Sequence, residues 1–485
     1  MSQQAFPTDD SQAGPQTHLH GHMSLWELLA TVLAFSAPVA VVSGFIPFVI
    51  VFDGAGAPAV FLCAMALLLI FAIGFTTMTR YLPRPGGFYA YVTAGLGRVA
   101  GLGAAMLAIM GYLLLGFCTL PFFAVNVDAL VRGSLGGPAI PWPVYGSLCG
   151  LGSATLCYFR IDLSAKVLTV AMALETLVVV IFDIAVLHNG GPEGISLAPL
   201  GWSSMTSGSV GIAILFAVTC FLGFEATAIF REEVRDAERT VPRATYLAVL
   251  LIGLFYAFSA WMTVSAFGMS RITAIASAAP ANLFPRGMEL YVGRIASDAL
   301  HILLATSQFA AVLSAQNILA RYGMSLGIDG VFPRILGHIH SRHQSPHVAS
   351  MAVSLIWLII GALFVLMSVP PDLLYARVAG VGGFAILLLM LLTSAAIIMF
   401  FRRSDQQFNA GLGATLFAPA LATLGLGAVV YLAIANFTLL IGGSQNEANA
   451  LIITTFLVFF AGAAYACILR SKKPTIYRNI GRQLL

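Results

Sequence analysis

Long runs of apolar residues, separated by short polar segments, dominate this chain. Twelve stretches are long enough to cross a hydrocarbon core about 30 Å thick, which takes roughly 20 helical residues. These uncharged or nearly uncharged spans lie near 26–52, 57–79, 99–127, 139–159, 163–188, 207–230, 242–268, 299–326, 347–368, 372–400, 411–440 and 448–469. A helix satisfies its own backbone hydrogen bonds in lipid, so the pattern predicts an all-α integral membrane protein with twelve transmembrane helices.

Two of these spans are interrupted where a membrane helix is normally smooth. The first span contains Pro38 and then Ser43-Gly44, and the sixth contains Gly223 followed by Glu225. Irregular backbone is tolerated at membrane depth only where it lines a protein cavity. Interrupted spans at matching places in the two halves of a chain indicate the binding site of a transporter. The sequence therefore predicts a transporter.

Composition and charge agree with a membrane setting and predict an orientation. The chain is 59% hydrophobic and 9% charged, with a mean hydropathy of +0.92, whereas a soluble domain carries about 25% charged residues. If the N-terminus is inside, 19 of the 24 Lys and Arg residues lie in cytoplasmic segments. This bias predicts that both termini are cytoplasmic. Residues 1–24 lack Lys and Arg and are predicted to form a disordered tail.

Motifs for catalysis or metal binding are missing from the sequence. It contains no HExxH, GxSxG or GxxxxGK motif, and its six cysteines lack the spacing of a zinc site or a disulfide framework. The N-terminal histidines could bind a transition metal weakly, but a solvated tail is the favoured interpretation. No carboxylate is spaced to complete a site with the loop histidines His338, His340, His343 and His347. The sequence predicts no enzyme activity, no cofactor and no metal.

Three carboxylates fall inside the predicted spans. An ionisable group at membrane depth is costly and is by default a candidate functional residue. Glu225 lies at the predicted break of the sixth span, and Glu175 lies within the fifth. For both, the alternative is a protonated acid that only packs within the bundle. Asp183 lies near the end of the fifth span, and a solvated side chain is the favoured interpretation.

Three motifs carry a resemblance to a known family. The run LPRPGGFYAYVTAGLGR (82–98) resembles the PxGGxYxY-(x)n-G signature of amino acid–polyamine–organocation permeases. FLGFEATAIFREEVRDAERTVPRA (221–244) is similar to the family's sixth-span ending. RYGMSLGIDGVFPRILGHIH (321–340) is similar to its segment after the eighth span. The three occur in the family's order, and the resemblance extends over residues 25–400.

The resemblance implies a LeuT-like fold with a 5+5 inverted repeat and discontinuous helices 1 and 6. Residues 25–400 would form the ten-helix transport core, 401–470 two peripheral helices and 471–485 a basic cytoplasmic tail. The substrate would lie between the broken helices, where exposed amides suit a carboxylate and unwound carbonyls suit an ammonium. The implied substrate-binding residues are Val42, Ser43, Gly44, Phe221, Gly223, Phe224 and Glu225. Val42 departs from the family, which has glycine there.

The resemblance also suggests where transport is coupled and gated. In some sodium-independent relatives a lysine occupies the position of Glu175. Because burial disfavours a charged carboxylate, Glu175 and Glu225 are favoured as proton carriers. A sodium site assisted by Ser307 and Ser314 is the alternative. On the cytoplasmic side, Glu232 and Arg321 are candidate gate residues, and solvated surface charges are the alternative interpretation.

These observations predict a secondary active transporter of amino acids or related amines in a cell inner membrane, coupled to protons. An amine or polyamine exchanger on the same fold is the first alternative. A nutrient sensor that no longer transports is the second, although such a sensor would usually carry a signalling extension. The predicted partners are the small-molecule substrate, the proton and the lipid bilayer. No nucleic acid is expected.

Overall fold

A computed structural model describes residues 23–82, 87–159, 165–343, 345–403 and 410–481. In these residues the chain is helical, and the only strand-like pairing is a single parallel bridge between Met23 and Val234. This confirms the all-α prediction. The helices are α1 Leu25–Phe35, α2 Pro38–Gly44, α3 Ile46–Asp53, α4 Ala57–Thr79, α5 Phe88–Leu96, α6 Arg98–Ala129, α7 Trp142–Phe159, α8 Ala165–Asn189, α9 Trp202–Met205, α10 Val210–Thr219, α11 Ala226–Ile229, α12 Ala237–Phe267, α13 Ile272–Ala278, α14 Leu283–Tyr291, α15 Arg294–Ile328, α16 His347–Leu366, α17 Pro371–Arg403, α18 Ala418–Ala435, α19 Phe437–Ile441, α20 Gln445–Lys472 and α21 Pro474–Asn479.

Local sequence signals set several helix ends. α1 begins with a capping box in which the Ser24 side chain accepts from the backbone N–H of Glu27, whose carboxylate accepts from the N–H of Ser24. Such a reciprocal cap satisfies two amides that would otherwise lack partners. Gly97, at φ +91°, turns the chain sharply between α5 and α6. This conformation suits glycine because it has no Cβ.

Ten of the described helical stretches are long and apolar enough to cross a membrane. The predicted fourth and sixth spans are not among the ten. They correspond to α7 and to the pair α10 and α11, and α10 is apolar but only 10 residues long. The structure thus supports a multi-pass membrane protein, while the total of twelve spans stays a prediction.

The two interrupted helices lie side by side. On one side of the breaks α3 packs against α10, where Phe48 and Phe52 each stack on Phe216 with ring centroids 5.6 Å apart. On the other side α1 contacts α11, and the backbone N–H of Arg235 donates to the carbonyl of Met23 at 3.0 Å. α6 packs against both α15 and α17, and these two helices contact α2 and α10, respectively. The two breaks therefore face the same part of the bundle.

Candidate functional site

The first helix break lies at Ser36 and Ala37, between α1 and α2. Ala37 adopts a left-handed conformation with φ +44° and ψ +67°. Pro38 begins α2, and a proline disfavours the right-handed helical conformation at the residue before it. The carbonyl of Ser36 is freed from the helix and accepts a hydrogen bond from the Tyr256 hydroxyl of α12 at 3.1 Å.

This position corrects the prediction from the sequence. Val42, Ser43 and Gly44 were expected to form the unwound segment, but all three lie buried within α2. A single irregular residue, Phe45, separates α2 from α3. The break therefore lies about two helical turns before the small residues Ser43 and Gly44, and the signal that marks it is the pre-proline Ala37.

Glu175 binds directly at this break. Its Oε2 accepts from the backbone N–H of Val39 at 3.3 Å and from the hydroxyl of Ser307 at 3.0 Å. The N–H of Val39 belongs to the first turn of α2 and has no partner within its own helix. Glu175 is 5% exposed, so its carboxylate joins α8, α2 and α15 inside the bundle. Ser314, the other serine named for a sodium site, has no such bond.

The second break lies between α10 and α11, as predicted. Residues 220–225 form turns, and Gly223 has φ +110°. Glu225 is buried at the end of this segment. Its Oε2 accepts from the backbone N–H of Gly223 at 2.8 Å, and its Oε1 accepts from the Tyr112 hydroxyl of α6 at 2.9 Å. Each break therefore holds one buried carboxylate on a freed backbone amide.

Two predicted aromatic residues of the second break are fully packed. Phe224 contacts the rings of Phe71, Phe75 and Phe88 at centroid distances between 6.0 and 6.3 Å, so it anchors the break against α4 and α5. Phe221 is completely buried.

Tyr112 was not singled out from the sequence. Its ring lies 6.2 Å from that of Tyr322, which in turn lies 5.5 Å from that of Tyr89. The three tyrosines therefore form a row of neighbouring side chains between Glu225 and α5. Nothing in the local sequence of Tyr112 marks it, because its partner is 113 residues away.

In the described part of the chain, several buried polar atoms on α2, α15 and α17 have no hydrogen-bond partner. They include the hydroxyls of Ser43 and Tyr375 and both side-chain polar atoms of Gln308. A Cβ added at Gly44 would lie 2.5 Å from the Tyr375 hydroxyl oxygen and 2.6 Å from a ring carbon of Phe122. Buried polar groups are nearly always paired, so these atoms are candidates to contact a ligand.

The predicted gate residues are not brought together by the described contacts. Arg321 is exposed, and the ion pairs in the described part of the chain join Arg132 to Asp128 and Arg239 to Asp236. The side chain of Glu232 lies outside the described residues. Arg231, its neighbour, instead donates to three carbonyls at the end of α4, those of Thr79, Arg80 and Leu82.

The structure overturns the expectation that Asp183 is solvated. It is buried between α8 and α12, and its Oδ2 accepts from the hydroxyl of Ser259 at 2.9 Å.

A cavity of about 710 Å³ opens elsewhere, where α6 ends beside the start of α17. Its lining includes Asp128, Arg132 and Asp372 but none of the residues at the two breaks.

Comparison with known proteins points to one family. The sequence profile described as amino acid permease matches residues 25–462, nearly the whole chain. Similar curated proteins include the low-affinity putrescine importer of Escherichia coli K12, which is 24% identical over 62% of this chain. The alignment covers 66% of that importer, slightly under two thirds of its length.

Other relatives differ in what they carry. The branched-chain amino acid permease of Bacillus subtilis is 24% identical over 68% of this chain and 70% of its own length. The cadaverine/lysine antiporter of Escherichia coli K12 is 28% identical over a shorter region, 27% of this chain and 28% of its own. These proteins are transporters rather than enzymes.

Proposed function

Because the chain belongs to the amino acid permease family, we propose that it is a proton-coupled secondary transporter that moves amino acids or related amines across the plasma membrane. One observation carries this proposal. At each helix break a buried carboxylate accepts from a freed backbone amide, Glu175 from Val39 and Glu225 from Gly223. In transporters with discontinuous helices, such half-helix ends hold substrate and coupling ions near the membrane midplane.

The proposed architecture is a five-helix repeat followed by its inverted copy. Residues 25–400 form this LeuT-like core, and 401–470 contribute two peripheral helices around α18 and α20. The pairing of α3 with α10 and of α1 with α11 supports it, because two inverted copies run antiparallel and so place the second half of the first span beside the first half of the sixth. The distribution of Lys and Arg supports cytoplasmic tails at 1–24 and 471–485.

The proposed substrate lies between the two breaks and carries an ammonium group. Glu225 and the carbonyls freed beside it form an electronegative site whenever the carboxylate is ionised, and such a site favours a cation. Ser43 is proposed as a substrate contact because its hydroxyl has no partner among the described residues. Gly44 is proposed because the Tyr375 hydroxyl and the Phe122 ring approach it closely. The full set of proposed contacts is Val42, Ser43, Gly44, Phe221, Gly223, Phe224 and Glu225.

Glu175 is the proposed proton carrier, together with Glu225. Both hydrogen bonds to the Glu175 carboxylate come from neutral groups, the Val39 amide and the Ser307 hydroxyl. A buried carboxylate without a cationic partner is costly in its charged form and is stabilised by a proton. Sodium at the same oxygens is the competing possibility. The proposal that Glu232 and Arg321 form a gate rests on the family resemblance alone.

Exchange is the second candidate function. The cadaverine/lysine antiporter aligns with part of this chain, so an amine exchanger on the same fold is compatible with the similarity. The two functions differ in a simple respect. An exchanger needs substrate on both sides of the membrane, whereas a proton symporter accumulates substrate into empty vesicles.

Purified protein in lipid vesicles tests both proposals. Uptake of labelled lysine, leucine and putrescine is measured under an inward proton gradient, under an inward sodium gradient and against preloaded substrate. We expect accumulation with the proton gradient alone. Accumulation that requires sodium would overturn the proton assignment, and accumulation only into preloaded vesicles would establish exchange.

A further inference from the structure

Asp53, at the end of α3, is a buried carboxylate that the proposed transport mechanism does not use. It is 1% exposed, and among the described residues neither carboxylate oxygen has a partner at hydrogen-bond geometry, although the backbone amide of Gly208 faces it. An isolated ionised carboxylate is very costly to bury, so a positive species is expected beside it.

Other oxygens converge on the Asp53 carboxylate. A Cβ added at Gly56 would lie 2.4 Å from Asp53 Oδ2 and 2.3 Å from the carbonyl oxygen of Ser204, so both oxygens pack against the same side of Gly56 and lie close to each other. Both are acceptors, so a positive species that contacts the two oxygens would stabilise this arrangement. The hydroxyl of Ser209 is also buried without a partner, and its backbone N–H donates to the carbonyl of Phe52 at 2.8 Å.

Three segments of the chain meet at this point. Asp53 ends α3, Ser204 and Ser209 precede α10, and Thr273 belongs to α13. The Thr273 hydroxyl oxygen would lie 2.9 Å from a Cβ at Gly54, which adopts φ +66°. Glycine permits this turn, and the backbone at Gly54 and Gly56 can therefore close around the carboxylate. The end of the first broken helix is thus joined to the segment that leads into the second.

We propose that Asp53 is the centre of a binding site for a hard monovalent cation such as Na⁺, on the predicted extracellular side. A proton would need only one acceptor, whereas the Ser204 carbonyl beside the carboxylate and the unpartnered Ser209 hydroxyl in the adjoining segment offer further oxygens to a cation. A single carboxylate balances one positive charge, while the calcium sites of proteins combine several carboxylates. The described residues contain no group of three or more His, Cys, Asp or Glu side chains of the kind that holds a metal ion, so the proposed site rests on one carboxylate and neutral oxygens. The bound cation holds α3 against the segment before α10, and this role does not depend on the coupling ion.

Thermal unfolding of the purified full-length protein in detergent tests the site directly. The Tm is followed while NaCl or KCl replaces choline chloride at constant ionic strength, at pH 6 and pH 8. We expect a saturable rise of several degrees with the inorganic cation, because a ligand of the folded state stabilises it by mass action. Asp53→Asn should lose this rise, and Ser209→Ala should require a higher cation concentration to reach it.

Asp128→Asn is the matched control, since Asp128 lies on the same predicted side but is partly exposed and paired with Arg132. This variant should keep the wild-type response. If neither cation differs from choline, or if Asp53→Asn responds like wild type, the proposal is wrong. It is also wrong if acidification alone reproduces the rise and cations add nothing, because Asp53 then holds a proton.

Discussion

The carboxylate of Glu175 accepts a hydrogen bond from the backbone amide of Val39, 136 residues earlier in the chain. Val39 is the second residue of α2, so Glu175 binds the first helix break at its freed amides. Any movement of α2 away from α8 changes the surroundings of this carboxylate. In the proposed mechanism, a change in protonation of Glu175 would therefore be linked to the position of the broken helix, as proton-coupled transport requires.

Replacing Glu175 with glutamine tests that link. Glu175→Gln keeps an acceptor oxygen for the Val39 amide but cannot bind or release a proton. We expect accumulation driven by a pH gradient to fall by about tenfold or more, equivalent to at least 1.4 kcal/mol of lost coupling, while exchange of substrate for substrate survives. Uptake into vesicles with and without preloaded substrate measures both.

Ser307→Ala is the companion variant for this experiment. It removes one donor to Glu175 but leaves the titratable group, so accumulation should persist with an altered pH profile. Wild-type accumulation in Glu175→Gln would remove Glu175 from coupling. A sodium requirement in the wild type that Ser307→Ala weakens would favour the sodium site.

The second break offers a test of substrate charge. Glu225→Gln removes the negative charge beside Gly223, and we expect amine-bearing ligands to bind more weakly and with a flatter pH dependence. Tyr112→Phe removes only the hydroxyl that donates to Glu225. Because this variant leaves the carboxylate and its charge in place, it should weaken binding less than Glu225→Gln does.

Calorimetric titration with lysine and putrescine at pH 5 and pH 8 compares these proteins. Identical affinity and pH slope in wild type and Glu225→Gln would leave Glu225 with a purely structural role. Dicarboxylates without an amine serve as the ligand control, because like charges 4 Å apart repel by about 4 kcal/mol at an effective dielectric constant near 20.

The two breaks differ in how well they could be predicted from the sequence. The second was located correctly because Gly223 and Glu225 are both unusual within an apolar span. The first was placed at Ser43-Gly44, which the family resemblance implies as substrate contacts, although Ala37-Pro38 carries the stronger backbone constraint. Partners such as Tyr112 and Val39 are more than 100 residues from their carboxylates. No local signal predicts such pairs.

Ala37 should tolerate glycine better than a β-branched residue. Its left-handed conformation is strained for any residue with a Cβ. Ala37→Gly should therefore leave the Tm close to wild type, whereas Ala37→Val should cost about 1–3 kcal/mol of stability. Thermal unfolding in detergent measures both variants. Equal effects of the two substitutions would contradict the observed backbone conformation at the break.

Gly44 tests the packing at the proposed substrate site. A Cβ there would meet the Tyr375 hydroxyl and the Phe122 ring, and overpacking of this kind costs about 1–3 kcal/mol. Gly44→Ala should reduce substrate affinity, and Gly44→Leu should abolish uptake while membrane insertion persists. Gly361→Ala is a suitable control because its added Cβ would make only an ordinary contact, 3.7 Å from Phe117. Unchanged uptake in Gly44→Leu would exclude this residue from the site.

Arg231 connects the second broken helix to α4 through backbone carbonyls. Its guanidinium donates at 2.5 Å to Thr79, at 3.0 Å to Leu82 and at 3.2 Å to Arg80. These carbonyls end a helix, where a cation is also favoured by the helix dipole. Because lysine lacks the planar fork that reaches several acceptors at once, Arg231→Lys should retain only part of this contact.

If the contact holds the predicted cytoplasmic side closed, Arg231→Gln should open that side more readily. The probe is a cysteine placed at Ala228, which is fully buried. We expect it to react faster with a water-soluble maleimide in Arg231→Gln than in the protein that retains Arg231. Arg231→Lys should give an intermediate rate. Each protein also carries Cys220→Ser and Cys467→Ser, which remove the neighbouring buried thiol and the exposed one. Equal labelling rates together with a lowered Tm would mean that Arg231 stabilises the end of α4 without gating. Equal rates with an unchanged Tm would show that the three hydrogen bonds contribute to neither.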